Sequence, residues 1–308
     1  MTHPINPKQI AEIATAAGND ILGFYGRAGP IDKKADDSPL TQADRAAHER
    51  ILTGLTELDP GIPVLSEESD PEVFEARRSW SRFWLVDPLD GTKDFIKQTD
   101  CFTVNIALIE DGAPVFGLIH VPAKSLTYWA AQGEGAWRDD SRSSDVNSRS
   151  QTPSRLEVGP NDLEVGSDGS QTPTRLEVAA PDMRAPRIVA SRDHAGPDVK
   201  RLLERFPGHT CLSIGSSLKF CMVSEGEADI YLRDVPTFEW DVGAAQCIVT
   251  EAGGTVYDLR TRAPLRYNKD DLRNGSLLTL GASVIEDWGA AAPQCDAAQP
   301  SEGEGESV

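Results

Sequence analysis

Apolar residues recur at Ile10, Ile13, Ala17 and Ile21, the spacing of one buried face of a helix. Asn6 before Pro7 supplies a cap, followed by a residue whose missing N–H is not needed in the first helical turn. A second amphipathic helix is expected over 38–58, with Thr41 as cap and Asp44 three residues on, an Asp where a capping box usually has Glu or Gln. The pattern then shortens. Residues 62–65 and 83–86 are apolar runs of strand length; the first ends at Glu67-Glu68 and the second at Asp87. Runs 104–109 and 115–121 flank Asp111-Gly112 and read as a β-hairpin. From Arg187 to Gly281 strand-like and helix-like stretches alternate. They include a strand at 228–233 and a helical run at 242–252, opened by Asp241 and closed by Gly253-Gly254. The periodicity gives α+β in the first half of the chain and α/β in the second.

Composition changes abruptly at 139–180, where Ser, Asp, Asn, Gln and Pro dominate. Within that stretch Ser150-Gln151-Thr152-Pro153-Ser154-Arg155-Leu156-Glu157-Val158 recurs twenty residues later, beginning at Ser170, with Thr174 in place of Ser154. Two copies are too few for a solenoid, so a local duplication within a surface loop is expected, one copy continuing the fold into Val178. The expected organisation is an N-terminal α+β half (1–138), this insertion (139–180), a C-terminal α/β half (181–286) and an acidic disordered tail (287–308). The five cysteines are widely spaced, which suits buried reduced thiols better than a disulfide framework. With no Cys-x-x-Cys pair and scattered histidines, no zinc-ligand spacing is visible. No apolar run approaches the ~20 residues of a membrane span, and residues 1–6 carry no export signal, so a cytoplasmic protein is expected.

A net charge of −19 argues against nucleic-acid polymers and anionic membranes as partners. The 49 Asp and Glu against 30 Lys and Arg, with nine lysines, also fit adaptation to high salt, an acidic tail being the other explanation. The carboxylates that matter chemically are grouped. Asp87-Pro88-Leu89-Asp90-Gly91-Thr92 follows a strand and precedes a helix. Pro88 fixes one dihedral and Gly91 allows a left-handed one, so two carboxylates are held on a rigid turn. Hard divalent cations take several carboxylate oxygens, and the free N–H groups where the next helix starts suit a phosphate beside them. Glu67-Glu68 and Asp241 also lie at the edges of apolar elements. Three such clusters favour a shared metal site over separate solvated turns and caps.

Leu65-Ser66-Glu67-Glu68-Ser69, Asp87 to Thr92, and Trp240-Asp241 with Glu251-Ala252-Gly253-Gly254 together resemble the inositol monophosphatase superfamily. The resemblance covers most of 1–286 and implies a layered αβαβα sandwich of the sugar-phosphatase type. It also implies a metal-dependent phosphomonoesterase. By resemblance, Glu67, Asp87, Asp90, Asp241 and the Leu89 carbonyl hold two or three Mg²⁺ ions. Thr92, oriented by Asp44, positions the attacking water, and the N–H groups of Gly91 and Thr92 bind phosphate. Within the superfamily, Asp36 to Asp44, Thr92 to Lys97, Ser213 to Cys221 and Asp229 to Arg233 resemble the CysQ-type 3′(2′),5′-bisphosphate nucleotidase branch. That branch implies a small nucleotide bisphosphate as partner, with Ser216, Lys219, Arg233 and Asp241 joining Leu89, Asp90, Gly91 and Thr92 around it. It further implies a cytoplasmic enzyme, with a peripheral place at the inner membrane face as the alternative. As residues alone, Lys219 and Arg233 equally suit a solvated helix face and a strand-end charge, and Asp44 a helix-start carboxylate.

One departure leans elsewhere. The nucleotidase branch usually reads Trp-Asp-Thr-Ala-Ala-Gly, whereas this chain has Trp240-Asp241-Val242-Gly243-Ala244-Ala245, closer at its start to the inositol branch. An inositol or sugar monophosphatase with the same chemistry is therefore the alternative reading. A non-catalytic divalent-cation-binding protein is the alternative of another class. Retention of Asp44 and Thr92 together weighs against it.

Overall fold

The computed structural model describes residues 5–26, 32–33, 39–40, 42–140, 172–180, 182, 184–190 and 196–281. Helix α1 (Pro7–Phe24) starts where the sequence places it, with Asn6 Oδ1 accepting the Lys8 N–H at 3.1 Å. Strands β1 (Asp32–Lys33) and β2 (Pro39–Leu40) form a short antiparallel ribbon. Helix α2 (Gln42–Leu58) therefore begins later than expected from 38, because Pro39 and Leu40 are taken by that ribbon and a proline holds its predecessor extended. The proposed Thr41 cap lies outside the described residues. Then come β3 (Val64–Ser66), α3 (Pro71–Ala76), β4 (Arg82–Asp90) and α4 (Thr92–Lys97). Strands β5 (Thr103–Glu110), β6 (Ala113–Val121), β7 (Leu126–Ala131), β8 (Gly135–Asp140) and β9 (Thr174–Leu176) complete the first half.

These seven strands, β3 to β9, form one sheet in sequence order, antiparallel except for the β3–β4 pair. The β5–β6 turn has positive φ at both Asp111 (48°) and Gly112 (75°), as a type I′ hairpin turn requires. Strand β9 belongs to the second copy of the duplicated segment, Leu176 facing Ala136 of β8. Residues 141–171 of the polar insertion, with the first copy, and the acidic tail from 287 lie outside the described residues.

The second half runs β10 (Arg187–Ala190), α5 (Pro197–Arg205), β11 (Thr210–Ser213), α6 (Leu218–Ser224), β12 (Ile230–Arg233), β13 (Thr237–Phe238) and α7 (Glu239–Glu251). It ends with β14 (Thr255–Asp258), β15 (Ala263–Pro264), β16 (Arg273–Asn274) and β17 (Leu277–Leu280). Six strands form a mixed sheet in the order β11-β10-β12-β17-β14-β15, and β13 pairs with β16 alone.

Alternation along the strands sorts the side chains into layers. Trp84, Val86, Ile106, Leu108, Phe116 and Leu118 pack on α1 and α2 through Ile10, Ala17, Ile51 and Leu55. Their neighbours Phe83, Leu85, Ala107, Ile109 and Ile119 share a core with Val242, Ala245 and Ile248 of α7 and with Val189 and Tyr231 of the second sheet. The far face of that sheet, with Ile188, Ile230 and Leu278, packs on Val199 and Leu202 of α5. The result is the five-layer αβαβα sandwich. The two halves of the chain share its central core, since α7 lies directly on the first sheet. At Gly117 that contact is backbone on backbone: a Cβ there would collide with the Ala244 carbonyl.

Cys101, Cys221 and Cys247 are buried free thiols, as expected, but Cys211 is exposed on the edge strand β11.

Candidate active site

Strand β4 runs straight into the motif, and its register against β5 shifts between Asp87 and Asp90. Asp87 is buried, and its Oδ1 accepts the Leu89 N–H at 3.0 Å, so the carboxylate itself shapes the turn that presents it. Gly91 has φ 90°, and any Cβ there would press on the Cys101 carbonyl and on Ser216. Thr92 opens α4, its Oγ1 donating to the Leu89 carbonyl at 3.3 Å.

Glu67 follows β3, with its N–H donating to the Val86 carbonyl at 3.1 Å. Asp241 enters from the first turn of α7, its Oδ2 accepting the Phe238 N–H at 2.8 Å. Carboxylate oxygens of Glu67, Asp87 and Asp241 lie within 4.8 Å of one another. Asp90 borders this trio: Ser217 Oγ donates to its Oδ2 at 2.7 Å, and Thr103 reaches the same oxygen at 3.5 Å. Asp44, buried in the first turn of α2, is close enough to act on Asp87.

Electrostatics mark the site as built for a cation. Burial, then Glu67, Asp90, Asp241 and Asp44, raise the Asp87 carboxyl well above its usual range. Burial, then Asp90 and Glu67, do the same for Asp241. Like charges crowded in a desolvated pocket are costly, and a hard divalent cation is the partner their oxygen chemistry suits. Glu67, Asp87 and Asp241 therefore fit such an ion.

On the other side stands α6. Lys219 is buried, not solvated, with Nζ donating to the Ser216 carbonyl at 2.7 Å and lying 5.7 Å from the Tyr231 ring centre. Burial pushes its ammonium down to about 8, with Asp90 opposing that fall and Arg233 adding to it. Arg233, half-buried at the end of β12, is fixed through Nε to the Val235 carbonyl at 3.1 Å. Ser216 is buried with φ 49°. Sequence reasoning singled out Ser216 but missed its neighbour. Ser217 Oγ donates to Asp90, also lies 3.0 Å from the Asp241 carbonyl, and accepts from Asn105 Nδ2 at 2.9 Å. An asparagine inside the apolar run 104–109 was the available signal.

His48, one turn after Asp44, has its Nδ1 2.9 Å from Ser66 Oγ, and burial lowers its pKa. The Val242-Gly243 departure directly follows Asp241 in α7, with both positions turned into the core. Val242 is fully buried in the inter-sheet core, and a Cβ on Gly243 would meet Leu85 and Ala107.

Glu67 just after the edge strand β3, Asp87 and Asp90 at the end of β4 and Asp241 in the first turn of α7 meet at one place in the five-layer sandwich. The inositol monophosphatase family model matches residues 7–292, and the chain belongs to that family. It is 43% identical over 253 residues to the 3′(2′),5′-bisphosphate nucleotidase CysQ of Salmonella typhimurium, covering 82% of this chain and 89% of that one. The CysQ protein of Escherichia coli K12 is 41% identical over 261 residues, 84% of this chain and 92% of its own. The crystal structure of CysQ from Bacteroides thetaiotaomicron superposes with a TM-score of 0.69 at 39% identity, over 89% of this chain and 96% of that one. SuhB from Bartonella henselae, at 22% identity and a TM-score of 0.68 over 94% and 98%, shares the fold. Among the described residues no helix is long and apolar enough to cross a membrane.

Proposed function

We infer that the chain is a 3′(2′),5′-bisphosphate nucleotidase that removes the 3′-phosphate of adenosine 3′,5′-bisphosphate, giving AMP and phosphate. The observation that carries this reading is the cationic wall beside the carboxylates. Lys219 is held desolvated within reach of Asp90, with Arg233 next to it. A buried ammonium beside a second cation is costly until an anion meets it, and a substrate with two phosphates supplies one for the carboxylate side and one for this wall. The 41–43% identity to CysQ proteins supports the same substrate.

Mg²⁺ is the ion that suits the site, in two or three copies, held by Glu67, Asp87, Asp90, Asp241 and the Leu89 carbonyl. Bound there, it supplies charge neutralisation of the phosphate and a lowered pKa for water. The chain's own residues do the rest. Thr92 Oγ1, at the start of α4, orients the attacking water with Asp44 behind it. The N–H groups of Gly91 and Thr92 hold phosphate oxygens, and Ser217 keeps Asp90 and α7 in register. Lys219, Arg233 and Ser216 hold the distal phosphate. A cytoplasmic location suits such a substrate.

An inositol or sugar monophosphatase would rest on the Val242-Gly243 departure. Both positions pack toward the first sheet, so that departure reads as core adjustment. Rates of phosphate release from adenosine 3′,5′-bisphosphate and inositol 1-phosphate separate the readings. The nucleotidase should prefer the bisphosphate by orders of magnitude in kcat/KM, and Arg233→Ala should erase much of that preference. A preference for inositol 1-phosphate would overturn it.

A further inference from the structure

The turn that presents Glu67 is tied to α2 by a contact outside the proposed reaction machinery. Ser66, the last residue of β3, is buried. Its N–H donates to Ser69 Oγ at 2.9 Å, and its carbonyl accepts the Ser69 N–H at 3.0 Å. Its own Oγ accepts the Glu68 N–H at 3.3 Å. A serine hydroxyl has one proton and two lone pairs, so a further bonding position remains. His48 Nδ1 occupies it at 2.9 Å. Asp44 and His48 are four residues apart on one face of α2. One helix therefore carries both the carboxylate behind Thr92 and the clamp on the Glu67 turn.

We propose that His48 is a positioning residue for the metal site: through Ser66 it fixes the turn of residues 66–69 and so aims the Glu67 carboxylate at Asp87 and Asp241. The inference rests on Glu67 being a metal ligand. A glutamate has three rotatable bonds between backbone and carboxylate, so its aim depends on where the turn places its Cα. β4 secures one side of the turn, the Val86 carbonyl accepting the Glu67 N–H. The His48–Ser66 contact secures the other. With it gone, the turn keeps its internal hydrogen bonds but loses its register against α2. Groups hydrogen-bonded directly to a ligand govern metal affinity by about 10–100-fold, and His48 acts one residue farther out, through Ser66, which sets the expectation at the low end of that range.

The test is calorimetric titration of Mg²⁺ into the metal-stripped full-length chain, together with the Mg²⁺ dependence of phosphate release. His48→Ala should weaken Mg²⁺ binding roughly tenfold while leaving kcat at saturating Mg²⁺ within about twofold. His48→Asn places a polar atom near the Nδ1 position and should restore most of the affinity. Ser66→Ala, a small change, should reproduce the loss and keeps the test open should His48→Ala fail to fold. Ser66→Ala also removes the acceptor of the Glu68 N–H, so the double variant should be no worse than Ser66→Ala. Wild-type Mg²⁺ affinity in Ser66→Ala or in folded His48→Ala, beside a large loss in Glu67→Gln, overturns the proposal alone. Unchanged affinity in Glu67→Gln overturns the metal-site reading, and this inference with it.

Discussion

Lys219→Met should stabilise the metal-free protein while damaging its function. Burial lowers the Lys219 ammonium from 10.5 to about 8, and the residue is 6% exposed, so solvent screening offers little relief. That fall corresponds to ~3 kcal/mol of destabilisation whenever the lysine is charged in both folded and unfolded chains. Methionine removes this cost but also the hydrogen bond to the Ser216 carbonyl and the contact with the Tyr231 ring, together ~1–2 kcal/mol. A net gain of ~1–2 kcal/mol is expected at pH 7. The pH dependence carries the sign. Between about 8 and 10.5 the unfolded chain holds a proton that the folded one has released, so wild-type stability rises relative to the variant. Urea denaturation of both proteins in EDTA at pH 7 and pH 9.5 should show the variant's advantage shrinking at the higher pH. The Asp87 and Asp241 contributions are common to both proteins and cancel. In turnover, loss of a charge-assisted contact worth ~1.5–3 kcal/mol should cost roughly ten- to a hundredfold in kcat/KM on adenosine 3′,5′-bisphosphate. On a monophosphate the loss should be much smaller. A variant less stable than wild type at pH 7, with a gap indifferent to pH, would refute the reasoning.

Asp90→Asn should abolish Mg²⁺-dependent phosphate release and leave the fold intact, because it removes a charge with little change in volume; near-wild-type turnover at saturating Mg²⁺ would count against its role. Gly117→Ala should cost ~1–3 kcal/mol or more in denaturant unfolding, since its Cβ meets the Ala244 backbone, and should weaken Mg²⁺ binding as α7 carries Asp241 away. An unchanged midpoint would contradict the backbone contact. Deleting 141–168 leaves Asp139, Asp140 and residues 169–173 as a hairpin loop between the paired Arg138 and Thr174, so an active, cooperatively unfolding enzyme is expected; loss of the cooperative transition would place the insertion in the core.

The turn from Asp87 to Thr92 was legible because its geometry is local: a strand, a proline, a glycine and a helix start set it without reference to the rest of the chain. The three-carboxylate cluster was legible only as separate acidic ends, since Glu67, Asp87 and Asp241 meet through sheet pairing and the docking of α7. Lys219 shows the limit most clearly. Spacing on α6 cannot distinguish a solvated lysine from one buried against Tyr231, because the covering layer comes from the second sheet. Ser217 went unseen for the same reason: its partners, Asn105, Asp90 and Asp241, are distant in sequence. The late start of α2 followed from a pairing between 32–33 and 39–40 too short to leave an apolar pattern.

The placement of α7 on the first sheet has a consequence for synthesis. The face of that sheet bearing Phe83, Leu85, Ala107, Ile109 and Ile119 is covered by a helix ending at Glu251, whereas β8 ends at Asp140. On the ribosome those strands emerge about 110 residues before their cover, which at ~5–20 residues per second is roughly 5–20 s of exposed apolar surface. Residues 141–171 lengthen that interval. The nascent chain is thus most prone to association midway through translation, and a holdase acting in that window would raise the yield of active enzyme more than one acting on the finished chain.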